Sequence, residues 1–334
     1  MEYVNFGTSG LKVSRLALGM GLRGQADERN AERLIRRAFD GGINLFDCAN
    51  VYGLMDDRAY AGRSEEILGR ALRGVRDDVV ITSKVFSEVG KGPNDRGASR
   101  YHVMREVERS LRRLGTDHID VYLLHNVDPT TPLEEQFRAL DDLVRAGKVR
   151  YVGVCNHQAW QVCRALWTQD KLGADPLITV QNPYSLLNRS LENEMFPFLR
   201  ATGVGLMAYA PLATGLLSGA YAVGQPPPPG SLWAARGRDR LDAALGGRPG
   251  QVLTACEEIA RAHGTTVAAI ALRWVIAHPE VTCAISGADT DEQMAQNLAA
   301  VELRLSEDEL ARLDELSQGL AMFLDTPQYR PQRS

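Results

Sequence analysis

The sequence predicts an α/β protein whose strands close into a (β/α)8 barrel of the TIM type, preceded by a small β-hairpin. Eight short apolar runs alternate along the chain with segments that repeat apolar residues at helical spacing. Strands that alternate with helices pair in parallel through right-handed crossovers, and eight such units close most economically into a barrel. No linker-like stretch divides the 334 residues, so we expect one domain over residues 1–334.

The chain begins with two short β-type runs, Tyr3–Phe6 and Leu11–Val13, joined by Gly7-Thr8-Ser9-Gly10, which predict the hairpin. The apolar runs that predict the barrel strands are Leu16–Leu18, Ile43–Phe46, Val79–Ser83, Ile119–Leu124, Val149–Val154, Leu177–Val180, Val204–Met207 and Val281–Ile285. The periodic segments that predict the first helices are Asp27–Phe39, Ser64–Leu72 with Ser64 as its cap, the segment carrying Val103, Val107 and Leu111, Leu133–Arg145 and Gln158–Trp167. Those that predict the later helices are Leu191–Ala201, Val252–His263, Val267–Ala277, Asp291–Ala300 and Leu305–Leu316.

One connection is longer than the others. After the seventh strand, residues 219–250 carry four consecutive prolines, Pro226–Pro229, and several arginines. A stretch of this length is too long for an ordinary connection, so we expect a long loop that acts as a flexible lid. Residues 319–334 are predicted to form a polar tail.

Composition excludes several classes of protein. The formal net charge is −4 with both signs interspersed, which does not favour nucleic-acid or anionic-membrane partners. No apolar run is long enough to span a membrane, and the N-terminus lacks the basic and apolar regions of a signal peptide. The five cysteines are widely spaced and never form a Cys-x-x-Cys pair. We therefore expect free thiols, a cytoplasmic location and no metal site.

Four protonatable residues fall at neighbouring strand ends. Asp47, Lys84 and His125 directly follow the second, third and fourth predicted barrel strands, and Tyr52 lies in the loop after the second. Any one of them has an ordinary explanation, such as a turn cap for Asp47, a solvated charge for Lys84 or a core histidine for His125. In a barrel, however, the carboxyl ends of the strands form the active site, so all four are expected to share one small volume.

These residue types suit the reduction of a carbonyl group. A tyrosine has an ordinary pKa of about 10, and a nearby ammonium is expected to lower it. Tyr52 could then donate a proton to a substrate oxygen, with Lys84 tuning it, Asp47 keeping Lys84 charged and His125 donating a hydrogen bond to the same oxygen. The source of the hydride is not identified by these residues.

Five motifs make the sequence resemble the aldo-keto reductases, in the branch of potassium-channel beta subunits and bacterial relatives. They are Gly42–Gly53, Ile81–Lys84, Leu114–Asp120, Gly147–Val154 and Tyr209–Gly219, and the resemblance runs from about Val4 to Glu302. It implies a (β/α)8 barrel and NAD(P)H-dependent reduction of an aldehyde or ketone. It also implies the catalytic residues Asp47, Tyr52, Lys84 and His125, with Tyr52 as general acid, Lys84 and Asp47 tuning it and His125 orienting the carbonyl.

The resemblance also implies a cofactor site, for which the family's usual choice is NADPH. Asn156 and Gln181 would hold the nicotinamide carboxamide, with Cys155 and Asp47 beside them, and Tyr209 would stack on the ring. Met20, Gly21 and Gln25 match positions in the first loop. The pyrophosphate would lie along Ala210, Pro211, Leu212, Ala213, Thr214 and Gly215, with Arg236 and Arg238 as candidate phosphate contacts. The adenosine end would meet Gly287, Ala288, Asp289, Gln293, Gln296 and Asn297.

Three positions depart from the family pattern. Cys155 stands where a serine is common, and Ser286 replaces the usual proline. Asp289 stands where a serine or a basic residue commonly meets the 2′-phosphate, and its charge would repel that group. NAD is therefore a possible alternative cofactor.

Other interpretations remain open from the sequence. Gly19–Gly24 matches the G-x-G-x-x-G fingerprint of a Rossmann fold, with Asp47 at about the spacing of a ribose-binding acid. Lys84 could form a Schiff base in a lyase, or the chain could be a cofactor-sensing binding subunit of the channel beta type.

The substrate is expected to be a small carbonyl compound against an apolar wall near Val85-Phe86, Met55 and Trp233. The oligomeric state is not readable.

Overall fold

Eight parallel strands form a closed barrel in the computed structural model, which describes residues 1–322. Around the barrel the strands follow the order β10-β3-β4-β5-β6-β7-β8-β9, so each strand pairs with its neighbour in the chain and β10 closes the ring on β3. The barrel strands are β3 (Leu16–Gly19), β4 (Leu45–Asp47), β5 (Val80–Val85), β6 (Ile119–Leu124), β7 (Val149–Cys155), β8 (Thr179–Pro183), β9 (Gly205–Tyr209) and β10 (Val281–Ser286). The predicted (β/α)8 fold is confirmed.

The predicted N-terminal hairpin closes the amino-terminal end of the barrel. It consists of β1 (Tyr3–Asn5) and β2 (Lys12–Ser14), paired antiparallel. Phe6 packs among the side chains that fill the barrel interior. Gly7 has a φ of +58°, and a Cβ there would lie 2.0 Å from the carbonyl oxygen of Ile178, so this turn requires glycine.

Helices cover the outside of the barrel. They are α1 (Glu28–Asp40), α2 (Arg63–Ala71), α3 (Arg100–Leu114), α4 (Leu133–Arg145), α5 (Ala159–Leu172), α6 (Met195–Thr202), α7 (Leu232–Arg236), α8 (Arg238–Leu245), α9 (Arg248–Ala262), α10 (Val267–Ala277), α11 (Asp291–Glu302) and α12 (Glu307–Ser317). Helix α1 shows why the pattern folds this way: Asp27 caps it by accepting from the Arg29 amide, and Leu34, Ile35 and Ala38 form its buried face.

Alternation along the strands divides the core into two layers. On β4, Leu45 belongs to the cluster inside the barrel, whereas Phe46 belongs to the larger cluster between the strands and the helices. On β6, Val121 and Leu123 point inward and Tyr122 points outward. Successive residues of a strand face opposite sides of the sheet, so the inward layer continues to the carboxyl ends of the strands.

Three predicted helix starts were wrong, and one of them, Val252, lies four residues inside α9, which begins at Arg248. Helix α2 begins after Gly62, which has a left-handed conformation, so Ser64 lies inside the helix and does not cap it. The Ser64 hydroxyl donates to the carbonyl oxygen of Met20 at 2.7 Å. The helix predicted from Leu191 begins only at Met195, because Ser190–Glu192 forms a separate 3-10 turn.

The stretch after the seventh barrel strand is partly helical, contrary to the prediction of one long loop over residues 219–250. It contains α7 and α8, and α9 begins within it. The Ser231 hydroxyl caps α7 by accepting from the Ala234 amide, while Trp233, Leu241 and Leu245 are buried. The prolines and arginines suggested a loop, but these buried apolar residues supply enough packing to stabilise two short helices.

The Rossmann interpretation is wrong. Gly19 is the last residue of β3, which lies in the closed barrel between β4 and β10. The helix after the glycine motif begins at Glu28, beyond the motif, so its N-terminus does not open on the glycines. A Cβ on Gly24 would lie 2.2 Å from the Asp289 carboxylate, so the absence of a side chain here lets the loop after β3 approach the loop after β10.

The first residues of the predicted polar tail are attached to the barrel. The Arg189 amide donates to the Leu320 carbonyl at 2.7 Å, and the Met322 amide donates to the Leu187 carbonyl at 2.9 Å. The remainder of that tail, 323–334, lies outside the described residues. All five cysteines are free thiols, and within residues 1–322 no helix is long and apolar enough to cross a bilayer.

Candidate active site

The inward layer of the barrel ends in polar side chains. Asp47 follows Leu45 on β4, Lys84 follows Thr82 on β5, and His125 follows Leu123 just beyond β6. Each stands two residues after an inward-facing position, so the pleat turns it into the barrel. The structure therefore brings together the three strand-end residues that the sequence singled out.

A buried ion pair lies at the centre of the group. The Lys84 ammonium donates to Asp47 Oδ2 at 2.7 Å and to the Cys48 carbonyl at 2.8 Å. Lys84 is fully buried and Asp47 is 3% exposed. Removing either partner would leave an uncompensated charge in the barrel, which is strongly destabilising.

The second oxygen of Asp47 is also occupied. Asp47 Oδ1 accepts from the Thr82 hydroxyl at 2.5 Å and from Gln181 Nε2 at 2.8 Å. Sequence reasoning identified Gln181 through the cofactor resemblance but did not identify Thr82. The signal was present, because Thr82 stands two residues before Lys84 on the same strand and so shares its face.

Tyr52 completes the group from the loop after β4. Its hydroxyl oxygen lies 3.4 Å from Lys84 Nζ and 3.3 Å from His125 Nε2. The end of this loop is hydrogen-bonded to its beginning, because the Gly62 and Ser64 amides both donate to the Tyr52 carbonyl. The four predicted side chains thus form one connected cluster, Asp47–Lys84–Tyr52–His125.

Next to this cluster lie the residues assigned to the nicotinamide. The Tyr209 hydroxyl donates to Asn156 Oδ1 at 2.8 Å, and Asn156 Nδ2 donates to the His125 carbonyl at 3.0 Å. Asn156 has a φ of +60°, a conformation that asparagine tolerates better than most residues. Cys155 is buried inside the barrel. Gln181 Oε1 has no hydrogen-bond partner among residues 1–322.

A tight turn follows Tyr209. Four of its residues have positive φ, namely Ala210, Ala213, Thr214 and Gly215, whereas Pro211 and Leu212 do not. Trp233 is buried against this turn and donates from Nε1 to the Thr214 carbonyl at 3.1 Å. Arg236 lies over the Trp233 ring at 4.7 Å, which places its charge on the same side as the turn. Arg238 instead pairs with Asp242 on its own helix at 3.3 Å.

The far rim joins the first and last loops of the barrel. Gln25 Nε2 donates to the Asp289 carbonyl at 2.7 Å, and the Asp289 amide donates to Gln293 Oε1 at 2.7 Å. The Asp289 carboxylate lies against Gly24, whose Cβ, if present, would be 2.2 Å from it. Asn297 Nδ2 donates to the Gly287 carbonyl at 2.9 Å, which fixes the start of this loop.

The remaining rim residues complete the same edge. Gln296 is half-buried one helical turn beyond Gln293. Met20 is buried, and its amide donates to the Asp47 carbonyl. Gly21 is half-buried with open space where a side chain would be, and Ala288 is half-buried on the loop after β10.

This donor set fits a dinucleotide. Amide side chains lie beside Tyr209, a turn with several positive φ angles follows it, and Arg236 and Arg23 lie close enough to repel each other. The pKa of Arg236 is lowered, first by burial and then by the charges of Arg23 and Arg240. Arg23 also pairs with Asp56 at 3.5 Å, so both charges of this pair lie at the edge of the first loop.

Comparison with known families decides the identity at family level. The sequence profile of the Aldo/keto reductase family matches residues 6–318, nearly the whole chain. The chain belongs to the aldo/keto reductase family.

Individual relatives cover the aldo/keto reductase almost end to end. The uncharacterized oxidoreductase YrpG of Bacillus subtilis is 38% identical over 96% of this chain and 97% of its own length. A probable voltage-gated potassium channel subunit beta of Oryza sativa is 34% identical over 91% and 92%. The L-glyceraldehyde 3-phosphate reductase of Escherichia coli K12 is 33% identical over 94% and 92%. The chain is thus an oxidoreductase-family protein by similarity.

Burial and charge determine protonation in this aldo/keto reductase. Burial by itself lowers the pKa of Lys84, but the charge and hydrogen bond of Asp47, together with the effects of Tyr52 and Cys155, outweigh it, so the pKa is raised and Lys84 stays charged. Burial raises the pKa of the Tyr52 hydroxyl, and Lys84 opposes this only in part. The prediction that Lys84 brings the pKa of Tyr52 below its ordinary value is therefore wrong in its net direction.

His125 is held neutral. Burial first, and then the charges of Lys84 and Arg58, keep the pKa of its imidazole well below the ordinary value. Its Nδ1 is buried without a hydrogen-bond partner among the described residues, while Nε2 faces Tyr52. A neutral imidazole can carry its proton on Nε2 and donate toward a ligand at the same place.

Proposed function

We propose that this aldo/keto reductase reduces an aldehyde or ketone to an alcohol with NAD(P)H, and that Tyr52 is the general acid. The observation that carries the proposal is the position of the Tyr52 hydroxyl, 3.4 Å from Lys84 Nζ and 3.3 Å from His125 Nε2. A substrate oxygen that approached Tyr52 would meet a proton donor and a second hydrogen-bond donor together.

The raised pKa of Tyr52 suits this role. Since burial keeps the phenol protonated through the neutral range, the proton is present when the substrate binds. As negative charge develops on the substrate oxygen, the proton passes from Tyr52 to that oxygen and leaves a phenolate beside the Lys84 ammonium. Asp47 keeps Lys84 charged and holds its position, so the stabilising charge is already in place.

His125 orients the carbonyl in this proposal. Because its imidazole is neutral, it can donate a hydrogen bond from Nε2 without adding a positive charge that would repel Lys84. A hydrogen bond to the carbonyl oxygen fixes that oxygen near the Tyr52 hydroxyl and polarises the carbonyl group.

A reduced nicotinamide cofactor, when bound, supplies the hydride. Gln181 would bind its carboxamide through the free Oε1, and the ring would lie on Tyr209. The turn from Ala210 to Gly215 and Arg236 would receive the phosphates, supported by the positive φ angles of the turn and the position of Arg236 over Trp233, which is hydrogen-bonded to that turn.

NADPH is the proposed cofactor, with NADH as the alternative. Arg23 and Arg236 could neutralise a 2′-phosphate, whereas the Asp289 carboxylate would repel it. Asp289 lies against Gly24 and is partly buried, and burial raises the pKa of its carboxyl group, which weakens this repulsion. These opposing charges support use of both cofactors.

The position and charge of Arg58 favour an anionic carbonyl compound as the substrate. It lies in the loop that leaves and returns to Tyr52, close enough to His125 for its charge to lower that pKa. Its guanidinium forms no ion pair with the residues the structure describes, unlike Arg63 and Arg70 nearby. A relative at 33% identity is an L-glyceraldehyde 3-phosphate reductase, a name that specifies a phosphorylated aldehyde.

Two other functions are less well supported. A Schiff-base lyase needs a neutral lysine, but Lys84 is fully buried, paired with Asp47 and has a raised pKa. A cofactor-binding partner of the channel beta type is favoured by the 34% identity to such subunits. The complete Asp47–Lys84–Tyr52–His125 cluster favours turnover over sensing alone.

A carbonyl panel tests the proposal. Purified protein is mixed with NADPH or NADH and with uncharged or phosphorylated aldehydes, ketones and quinones, and oxidation of the reduced ring is followed by absorbance. Turnover of at least one carbonyl class is expected. Tight cofactor binding without turnover of any carbonyl would contradict the proposal and favour the binding-partner function.

The same panel tests the role of Arg58. Replacing Arg58 by Leu should lower kcat/KM for a phosphorylated aldehyde at least about fivefold, since two charges 4 Å apart in water interact by about 1 kcal/mol. Arg58→Lys keeps the charge and should largely preserve the activity. Equal effects of Arg58→Leu on glyceraldehyde and its phosphate would show that Arg58 does not contact the anion.

A further inference from the structure

Two carboxylates are buried directly behind the active site, on the outer face of β4 and β5. Glu65 of α2 is fully buried and Glu106 of α3 is 1% exposed. Both point from the helices toward the strands that carry Asp47 and Lys84. Neither belongs to the cluster of four residues inside the barrel.

Each carboxylate divides its two oxygens between an arginine and the barrel. Glu65 accepts from Arg113 Nε at 2.6 Å and from the Ser83 hydroxyl at 2.5 Å. Glu106 accepts from an Arg109 nitrogen at 2.8 Å and from Asn50 Nδ2 at 3.1 Å. The arginines balance the charges, so the second oxygen of each carboxylate can hold a barrel residue.

The Asn50 contact bears directly on Tyr52. Asn50 is 1% exposed and lies between Asp47 and Tyr52 in sequence. Its amide donates to the Lys84 carbonyl at 3.2 Å, and the Tyr52 amide donates to the Ala49 carbonyl at 3.1 Å. The segment is therefore attached to Lys84 through its main chain and to Glu106 through one side chain.

No other side chain replaces this attachment. Asn50 Oδ1 is buried without a partner among residues 1–322, so Glu106 is the one hydrogen-bond partner of the Asn50 side chain in the described structure. A buried carboxylate is strongly unfavourable unless it is paired and hydrogen-bonded. An apolar contact would pack the helix at lower cost but would not fix Asn50.

We propose that Glu106 and Asn50 are positioning residues for Tyr52. They hold the segment after β4 so that the Tyr52 hydroxyl stays near both Lys84 and His125. This proposal rests on the proposed function of Tyr52. The separations of 3.4 Å and 3.3 Å are already at the long end of hydrogen-bond range, so a shift of about half an ångström would break the contacts.

The test compares Glu106→Leu and Asn50→Ala with two controls. Glu106→Gln keeps an oxygen that accepts from Asn50. Glu108→Leu alters a carboxylate of the same helix that pairs with Lys148, is 43% exposed and does not contact the barrel segment. Steady-state kinetics, cofactor affinity from protein fluorescence and thermal unfolding are measured for all four variants.

Glu106→Leu and Asn50→Ala should lower kcat about tenfold to a hundredfold, the scale of misplacing a catalytic group by about 1 Å. Cofactor affinity should change less than about twofold. Because Lys84 would stabilise the phenolate less, the alkaline limb of the kcat profile should move to higher pH. Glu106→Gln and Glu108→Leu should stay within about threefold of the parent.

An independent readout does not require turnover. In protein labelled with ¹³Cζ-tyrosine, the Tyr52 resonance, assigned by its loss in Tyr52→Phe, should shift in Glu106→Leu and Asn50→Ala but not in the two controls. If the parent reduces no carbonyl, this shift still tests the positioning, so the two proposals fail separately. An unmoved resonance, or a loss of activity that follows only the folded fraction with an unchanged pH profile, would overturn the inference.

Discussion

The cluster around Tyr52 and the cofactor rim around Asp289 are held in place by different means. Asp47 and Lys84 stand on adjacent barrel strands, so the register of β4 and β5 determines their separation. The rim is instead assembled from the loop after β3, the loop after β10 and helix α7, joined by side-chain contacts such as Gln25 to Asp289. The first arrangement depends on the barrel itself, whereas the second depends on individual side chains.

Because of this difference, substitutions in the cluster and at the rim should have different effects. A change in the strand-end cluster should disturb both folding and chemistry, because its charges are buried and paired. A change at the rim should alter cofactor choice or the mobility of one segment and leave the barrel intact. The following substitutions test this difference, from the largest expected effect to the smallest.

Lys84→Met should have the largest effect on stability. Asp47 would remain buried without its cation, and breaking a buried pair costs about 3–5 kcal/mol of unfolding free energy. The kcat should fall at least about a hundredfold, the scale of general acid catalysis. Removing the cation should raise the pKa of Tyr52 further and move the alkaline limb of the pH profile upward.

The double variant Asp47→Asn/Lys84→Met is the matched control. It removes both charges, so much of the stability should return while kcat stays low. Thermal unfolding and steady-state kinetics distinguish the two effects. Recovery of activity together with stability would show that Lys84 acts only in folding.

Asp289→Ser should change cofactor choice without altering the barrel. The ratio of kcat/KM for NADPH to that for NADH should rise at least several-fold, since the repulsion is worth between about 1 and 4 kcal/mol at 4 Å. Burial raises the pKa of Asp289, so in the parent the same ratio should rise as the pH falls toward that pKa and the carboxylate is protonated. A ratio unaffected by both changes would place Asp289 away from the 2′-phosphate.

The smallest effect is expected in the segment that contains α7. If Arg236 contacts the cofactor phosphates, NADPH should slow proteolysis within residues 219–250, and Arg236→Leu should reduce this protection. Arg238→Leu is the control, because Arg238 pairs with Asp242 at the surface. Equal cleavage with and without NADPH would rule out closure of this segment over the cofactor.

The same contrast explains what could be predicted from the sequence. Strand ends follow apolar runs, so Asp47, Lys84 and His125 could be assigned to one edge of the barrel before the structure. Gln181 and Asn156 were predicted as site residues from the family resemblance alone. Their hydrogen-bond partners in the structure, Asp47 and Tyr209, could not be derived from that resemblance. These contacts join strands that are distant in sequence.

The errors arise where the local pattern was misleading. Pro226–Pro229 suggested an irregular loop, but Trp233 and Leu241 are buried and stabilise α7 and α8. The pKa of Tyr52 was assigned from its charged neighbour, although burial has the larger effect. The depth at which a side chain is buried depends on the complete fold, which a spacing pattern does not contain.

Tyr52→Phe tests the central claim most directly. The variant removes one oxygen and should keep the fold, since the ring remains beside Lys84 and His125. Cofactor affinity, measured by fluorescence titration, should stay within about twofold of the parent. For the best substrate of the carbonyl panel, kcat should fall at least about a hundredfold. Turnover as fast as in the parent, with the cofactor bound equally well, would contradict the assignment of Tyr52 as the proton donor.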